Sequence, residues 1–422
     1  MNNLIYFIIT IIIFILLYNK YKYSLLSPSI LFSAGFVISS FMFLLNTTIW
    51  NYELDLTAVL YMTIGMLSFI AGSLVRKKNI IIPDNLIKGT LLQIRSRFVV
   101  FIFFIIEGIG IVLRLLVLLF SVGTMSLENE ALGDYRMSHQ DTPYDVALKF
   151  ITPIITAITI YAISNFLTFK INRNKINISS ILLIIGYFIF SMLSSARIEI
   201  IYLFIYFIVY YVIVSLGDNR ENISRKTVMT FISVFVLFFL VFFLLGHLTG
   251  KSQVQTSFFD NISIYTCSSL GALCEYLKNY SFKESDMFTE SMRGIYNILS
   301  YLGVNIERVS KTPPMGFVQF GDMTHTTNVY TCFYTPIHDF GYIGSLVMMF
   351  IEGFIYQTIY NKAKLGLLKG NIIWFFIYVY SAPMIFISSI SERFSNALLT
   401  VTTIIYIVTI KYIIKSITVS NN

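Results

Sequence analysis

Long, unbroken runs of apolar residues constrain the fold of this 422-residue chain more than any other feature. A helix needs about 20 mainly apolar residues to cross the hydrocarbon core of a bilayer. Runs near that length recur along the whole chain, at 3–19, 28–47, 56–75, 98–122, 148–169, 178–195, 198–216, 228–248, 342–360, 371–390 and 397–414. The sequence therefore predicts an all-α, polytopic membrane protein with about eleven transmembrane helices.

The composition excludes several other classes of protein. Only 12% of the residues are charged and 56% are apolar, whereas soluble domains have about 25% charged and about 45–50% apolar residues. So high an apolar content also excludes a disordered chain. The runs are continuous, while the strands of a membrane β-barrel alternate between apolar and polar residues. The net charge of +8 comes from basic residues scattered between the runs, unlike the basic patch of a nucleic-acid-binding protein.

Charged residues predict the orientation of the spans. The first charges, Lys20 and Lys22, follow the first apolar run, which is the pattern of an uncleaved anchor with an outer N-terminus. Alternating the spans from there places 19 of the 30 basic residues and only three of the 22 acidic ones in inner segments. Because inner loops are enriched in Lys and Arg, we expect an outer N-terminus and an inner C-terminus.

This topology divides the chain into three parts. Residues 1–248 hold spans one to eight with a short outer loop at 123–147, residues 249–341 form a large outer loop, and residues 342–422 hold the last three spans and a short inner tail. Within the large loop, apolar residues at helical spacing between Asp286 and Leu302 predict a helix on the outer surface.

The cysteines Cys267, Cys274 and Cys332 also fall in the large loop. Free cysteines are among the most buried residues in proteins, so we expect buried thiols. No pair of Cys or His residues has the spacing of a zinc site, and no structural metal is predicted.

Charged residues inside apolar spans are candidates for function because burying a charge in a membrane is costly. Glu107 and Arg114 lie seven residues apart in the fourth run, so they share one helix face. Glu352 lies in the middle of the ninth run. The alternative for each is a structural polar contact between helices, or for Arg114 a side chain that reaches the interface.

A very short connection between two spans carries another arginine. Arg197 follows the sixth run directly, which places it at the outer membrane surface, two residues before Glu199. A guanidinium group is always charged and binds phosphate oxygens with a planar pair of donors. Arg197 is therefore a candidate for binding a lipid-linked phosphate, and the alternative is an interfacial anchor paired with Glu199.

The end of the large loop, residues 321–344, is the densest polar stretch of the chain. It contains His325, His338 and Asp339, and a neutral imidazole or a carboxylate can take a proton from an attacking hydroxyl group. Three further residues of the stretch are candidates for binding sugar hydroxyls: Asn328, Tyr330 and Tyr334. The alternative for each residue is a surface or capping role, and Asp339 could cap the ninth span.

These two segments resemble the Wzy-type O-antigen polymerases, which join the repeat units of bacterial surface polysaccharide. The family has a Ser-Arg-x-Glu-like turn between two spans, matched here at 195–199 with one inserted alanine. It also has an Asn-x-Tyr-Thr-x-Phe stretch followed by Asp-Phe-Gly-x-x-Gly, matched at 328–333 and 339–344. The span count and the large outer loop before the last spans agree as well, although the matched motifs cover only about thirty residues.

The resemblance implies a metal-independent, inverting-type glycosyltransferase of GT-C-like fold, without a cofactor, in the bacterial inner membrane. Its substrates would be oligosaccharides on undecaprenyl pyrophosphate, joined on the periplasmic face, and a chain-length regulator would be a partner. We expect Arg197 to bind the donor pyrophosphate with Arg114 as a second clamp, and His338 or Asp339 to act as general base with His325 in reserve. The family's Arg and Gly eleven apart in the outer loop are not reproduced, so Arg293 and Arg308 rank lower and the second substrate site is in doubt.

Three other functions compete with this reading. An O-antigen ligase of related fold would move finished polymer onto lipid A–core. A flippase for lipid-linked oligosaccharide would need paired halves around a central cavity, and no internal duplication is visible in the sequence. A peptidoglycan-type polymerase is the remaining alternative.

Overall fold

The computed structural model describes residues 1–20, 25–78, 80, 97–122, 143–173, 177–194, 197–216, 258–281, 288–301, 303–304, 316–323, 326–398 and 400–418. Their α-helices are α1 (Asn2–Lys20), α2 (Pro28–Leu45), α3 (Leu56–Arg76), α4 (Arg97–Val122), α5 (Pro143–Arg173), α6 (Ile178–Leu193), α7 (Arg197–Leu216), α8 (Phe258–Lys278), α9 (Arg293–Tyr301), α10 (Tyr334–Leu368), α11 (Ile373–Phe386) and α12 (Val401–Thr418). A 3₁₀ turn at Ile387–Ser389 and a π-helical turn at Phe394–Leu398 lie between α11 and α12.

The described helices make the chain a multi-pass α-helical membrane protein. Six segments are long and apolar enough to cross a bilayer: Asn2–Lys20, Pro28–Leu45, Leu56–Arg76, Phe98–Phe120, Pro143–Lys170 and Tyr334–Leu368. Three shorter apolar helices cover Ile178–Leu193, Ile198–Val212 and Ile373–Ser389. The eighth predicted span, 228–248, lies outside the described residues. The prediction of a helical membrane protein is confirmed, while the count of eleven spans stays a prediction.

The helices begin and end at recognisable residues. Pro28 opens α2, where its missing N–H and its fixed φ angle suit the first turn. Asn177 caps α6, since its side-chain oxygen accepts a hydrogen bond from the Ser180 N–H at 3.3 Å. The chain separates into two compact units: Met1–Ile80, Ser257–Lys362 and Met384–Val401 form unit 1, and the remaining segments form unit 2.

In unit 1, α1 runs antiparallel to α2 and is joined to it by small polar side chains. Asn3 Nδ2 donates to Thr47 Oγ1 at 2.9 Å near one end, and the hydroxyls of Thr10 and Ser40 are 2.8 Å apart further along. Such interhelical hydrogen bonds hold helices together where lipid offers no hydrophobic driving force.

Glycine allows α3 and α10 to pack closely in unit 1. A Cβ atom at Gly353 would collide with the Phe69 carbonyl oxygen. One turn further along, Ser73 Oγ donates to Gln357 Oε1 at 2.9 Å. Small residues at such a crossing let two backbones approach each other inside a membrane.

Helix α8 lies within the stretch 249–341 that the sequence predicts to be an outer loop. It packs against α2, where Ser39 Oγ donates to the Thr266 carbonyl at 2.7 Å and Asn46 Nδ2 donates to Ser263 Oγ at 2.8 Å. Ser, Thr, Cys and Gly residues lower the mean hydropathy of α8, so it does not appear as an apolar run. The same small residues suit a helix that packs against other helices rather than against lipid.

Two breaks in regular helix structure lie in unit 1. The chain enters between α2 and α3 at Phe333, whose ring lies 5.4 Å from that of Phe36 halfway along α2. A short helical segment from 334 to 340 follows, and Gly341, at φ 67° and ψ −174°, breaks the helix before the long part of α10. Only glycine adopts such a backbone conformation without strain.

The second break is the irregular stretch around the 3₁₀ turn after α11. Donors from elsewhere in unit 1 satisfy two of its carbonyl groups. The Cys332 N–H donates to the Ser388 carbonyl at 2.8 Å, and Ser269 Oγ donates to the Ser389 carbonyl at 2.7 Å. Irregular backbone is tolerated inside a membrane protein when it is buried in protein and its polar groups are paired in this way.

Unit 2 is built around three mutually packed helices, α4, α5 and α6. Helix α7 packs against α5, where Ser164 Oγ donates to Tyr210 Oη at 2.6 Å. Helices α11 and α12 meet through Tyr406, whose hydroxyl donates to the Phe376 carbonyl at 2.9 Å and whose ring stacks on Tyr380 at 4.2 Å.

Candidate functional site

Asp339 anchors the short helical segment of α10 in unit 1. Its side chain is 0% exposed. Oδ1 accepts the Glu290 N–H at 3.0 Å and the Thr289 hydroxyl at 3.4 Å, and Oδ2 accepts the Ser291 N–H at 2.7 Å and the Ser291 hydroxyl. The carboxylate therefore caps the turn that precedes α9, rather than the ninth span that the sequence suggested.

His338 lies beside this carboxylate and is held by it. The distance from His338 Nδ1 to Asp339 Oδ1 is 3.1 Å. A proton on Nδ1 satisfies this contact and makes Nε2 the basic nitrogen of the ring. A carboxylate has about four lone-pair sites, and the donors around Asp339 occupy them. The geometry therefore favours His338 as the base and Asp339 as the residue that positions it.

Arg293 adds a half-buried cation to the same cluster. Its guanidinium group forms an ion pair with Glu290, one turn earlier in the chain. Burial lowers the pKa of Arg293, and the nearby Tyr334, Glu392 and Asp339 oppose that shift. Arg293, ranked low from the sequence, thus lies in the same cluster as Asp339.

Tyrosine rings border this cluster. The rings of Tyr330 and Tyr334 stack at 4.5 Å, and Tyr276 of α8 meets Tyr334 edge to face at 4.7 Å. Tyr330 Oη donates to the Gly316 carbonyl at 3.2 Å, and burial raises its pKa to about 12. Both Tyr330 and Tyr334 are buried, whereas Asn328 is half-buried.

A second charged cluster lies in unit 2, at the junction of α6 and α7. Arg114 Nη2 is 3.4 Å from Glu199 Oε1, and Ser194 Oγ donates to Glu199 Oε2 at 3.2 Å. The guanidinium carbon of Arg114 lies 4.8 Å from the centre of the Phe190 ring, a cation–π contact. Glu199 therefore pairs with Arg114, and the alternative pairing of Glu199 with Arg197 falls on a side chain outside the described ones.

Glu107 is the other charged residue of this helix face. It is buried, and its carboxyl group occupies the space that a side chain at Gly186 of α6 would fill. Its Oε1 atom has no hydrogen-bond partner among the described residues. Glu107 and Arg114 thus share one face of α4, as their spacing predicts, and both contact α6.

Some predicted site residues lie outside the described part of the chain. Arg197 begins α7, but its side chain is not among those described, and His325 and Arg308 are not described at all. The pyrophosphate clamp of Arg197 with Arg114 therefore stays a prediction. The three cysteines are buried free thiols, which confirms that expectation. Among the described residues, no three His, Cys, Asp or Glu side chains come together as metal ligands.

Sequence reasoning missed several members of the unit 1 cluster. Glu290 and Ser291 precede α9, and their link to Asp339 spans about fifty residues of chain, which no local pattern reveals. Glu392 stands between the last two apolar runs beside Arg393, and that isolated charged pair was a signal that could have been read.

The fold and the two clusters define a multi-pass helical membrane protein with buried charged groups in each of its two units. Comparison with known proteins adds no family to this description. No family model, no curated protein and no solved structure matches the chain.

Proposed function

We propose that this chain is an O-antigen polymerase of the Wzy type in the bacterial inner membrane, with a GT-C-like fold. One observation carries the proposal: the Asp-Phe-Gly-x-x-Gly motif of the resemblance includes Asp339, the carboxylate that holds His338, and Gly341, the glycine that breaks α10. Because the motif places a potential base in contact with a buried carboxylate, there is reason to assign the motif a chemical role.

In this mechanism, His338 Nε2 takes the proton of an acceptor sugar hydroxyl. The hydroxyl oxygen forms a bond to the anomeric carbon of the donor sugar, and the bond from that carbon to the pyrophosphate oxygen breaks. Undecaprenyl pyrophosphate leaves with the electron pair. Asp339 stabilises the imidazolium and holds the ring in place, as the orienting carboxylate of a catalytic triad does.

The charge that develops on the leaving pyrophosphate calls for fixed cations. Arg197 is the proposed donor-binding residue, and Arg114 is the proposed second clamp. Loss of a preorganised donor of this kind costs about 3 kcal/mol, which is about a hundredfold in rate. Tyr330, Tyr334, Asn328 and Arg293 are the proposed sugar-binding residues on the side of His338.

A surface lipopolysaccharide gel from a strain that lacks this gene tests the proposal. We expect lipid A–core carrying a single repeat unit and no ladder, because export and ligation still operate. The wild-type gene restores the ladder. A normal ladder in the deletion strain contradicts the proposal, and core without any repeat unit indicates a ligase or a flippase.

A flippase is the second candidate, and one observation favours it. Two interruptions of regular helix lie in unit 1, at Gly341 and at 387–398, and discontinuous helices of this kind form substrate sites in transporters. The two candidates differ in where lipid-linked repeat units accumulate in the deletion strain. A polymerase defect leaves them at the periplasmic face, and a flippase defect leaves them at the cytoplasmic face.

A further inference from the structure

Glu107 is a buried acid of unit 2 that the proposed reaction does not use. It lies near the middle of the apolar segment Phe98–Phe120 of α4 and is only 3% exposed. Its Oε1 atom has no hydrogen-bond partner, and no described residue forms an ion pair with its carboxyl group. Burial of an isolated carboxylate costs far more than burial of a neutral acid, so the surroundings decide which form is present.

The helix face that carries Glu107 is apolar one turn to either side. The Phe103 ring, one turn earlier, meets the Tyr161 ring of α5 edge to face at 6.1 Å. One turn later, a Cβ atom at Gly110 would lie 3.3 Å from the Phe190 ring of α6 and would also meet isoleucine side chains of α5. Residues three and four positions apart lie on the same face of a helix, so these apolar groups enclose the carboxyl group.

The Phe190 ring lies along α4 between Glu107 and the next charged residue of that helix. Arg114 follows seven residues later, about 10 Å further along the helix axis. Its guanidinium carbon is 4.8 Å from the centre of the Phe190 ring, and its Nη2 atom pairs with Glu199 at 3.4 Å. Because the same ring reaches the Gly110 position, it fills the seam between the guanidinium group and Glu107.

The helices packed against α4 bring no charged side chain to the level of Glu107. On α5 this level falls between Ile155 and Tyr161, and that segment contains no charged residue. On α6 it falls at Gly186, followed by Tyr187. Both tyrosines belong to a type of side chain that is neutral near pH 7. The charged residues of α5 lie nearer its two ends: Asp145, Lys149, Lys170 and Arg173.

We propose that Glu107 is a proton-binding site within the membrane-spanning part of unit 2, and that it holds its proton at neutral pH. An ionised carboxylate there would have no compensating cation and no hydrogen-bond donor at Oε1 among the described residues, whereas the protonated group is neutral. Acids that persist inside membrane-spanning segments commonly belong to proton or ion sites. This site does not depend on the proposed polymerase activity.

Infrared difference spectroscopy of the purified full-length protein in a lipid film tests the proposal. A protonated carboxyl group gives a C=O band that is well separated from the bands of a carboxylate. Glu107→Gln removes the acid and keeps a neutral side chain of nearly the same shape. The wild-type spectrum minus the Glu107→Gln spectrum, both at neutral pH, should contain the acid band of one carboxyl group and no carboxylate bands.

Glu275→Gln is the matched control, because Glu275 is an acid of unit 1 that pairs with Lys278. Its difference spectrum should contain carboxylate bands and no acid band. Carboxylate bands in the Glu107 difference spectrum, or the absence of an acid band from it, overturn the proposal. If Glu107→Gln does not fold, Glu107→Asp takes its place. The acid bands of Asp and Glu differ in position, so an acid band that does not shift overturns the proposal.

Discussion

Replacement of Asp339 by alanine should destabilise unit 1 strongly. The substitution leaves the N–H groups of Glu290 and Ser291 and the Ser291 hydroxyl without their acceptor in a buried place. A buried donor left unpaired costs about 1–3 kcal/mol, so the two N–H groups alone predict a loss of about 2–6 kcal/mol. Asp339→Asn keeps one acceptor oxygen, so it should lower the free energy of unfolding by about half as much as Asp339→Ala does.

The measurement is the thermal unfolding midpoint of the purified protein in detergent, with limited proteolysis around α9 as a second readout. Asp322→Asn is the matched control, because Asp322 is an exposed aspartate in the same unit. Substitutions at exposed positions usually change the free energy of unfolding by no more than about 0.5 kcal/mol. The expected order of midpoints is wild type and Asp322→Asn together, then Asp339→Asn, then Asp339→Ala. An Asp339→Ala protein as stable as the control refutes the capping role.

The remaining predictions concern packing and one hydrogen bond, and thermal unfolding checks each of them. Gly353→Ala should destabilise the protein by about 1–3 kcal/mol through overpacking, because the new Cβ meets a carbonyl oxygen of α3. Gly108→Ala, a mid-helix glycine with open space around it, should instead leave stability equal or raised by up to about 1 kcal/mol. Gly186→Ala should lower stability by about 1–3 kcal/mol, and the double change with Glu107→Ala should recover part of that loss, because the carboxyl group that fills the space is gone. Tyr280→Phe removes a 2.7 Å hydrogen bond to the Ile337 carbonyl and should cost about 0.5–1.5 kcal/mol. The packing described here is contradicted if the stability changes of Gly186→Ala and Glu107→Ala simply add in the double variant. It is also contradicted if Gly353→Ala is as stable as Gly108→Ala.

The sequence predicts the helices well where they face lipid. Apolar runs are required of a helix that crosses a bilayer, so α2 and α3 appear within two residues of the predicted runs at 28–47 and 56–75. Helix α8 was not predicted, because it packs on other helices through small polar residues, and such residues do not produce an apolar run. The helix break at Gly341 was not predicted either, because a glycine within an apolar run has no distinctive pattern until its φ angle is known.

The individual residues of the candidate site could be predicted from the sequence, but the contacts that join them could not. His338, Asp339 and Arg114 stand out as polar groups in or beside apolar spans. The partners of these residues do not stand out in the same way. Asp339 accepts hydrogen bonds from backbone groups of 290 and 291, and backbone donors cannot be recognised from a sequence. The pairing of Glu199 with Arg114 likewise joins residues 85 positions apart.

Polymerisation by the purified protein tests the central claim most directly. Wild-type protein in liposomes is supplied with undecaprenyl-pyrophosphate-linked repeat units, and product length and released undecaprenyl pyrophosphate are measured. We predict a ladder with one pyrophosphate released per linkage, no ladder with His338→Ala or Arg197→Ala at equal protein levels, and a normal ladder with the Asp322→Asn control. A folded wild-type protein that forms no linkage, or a full ladder from both His338→Ala and Arg197→Ala, contradicts the account.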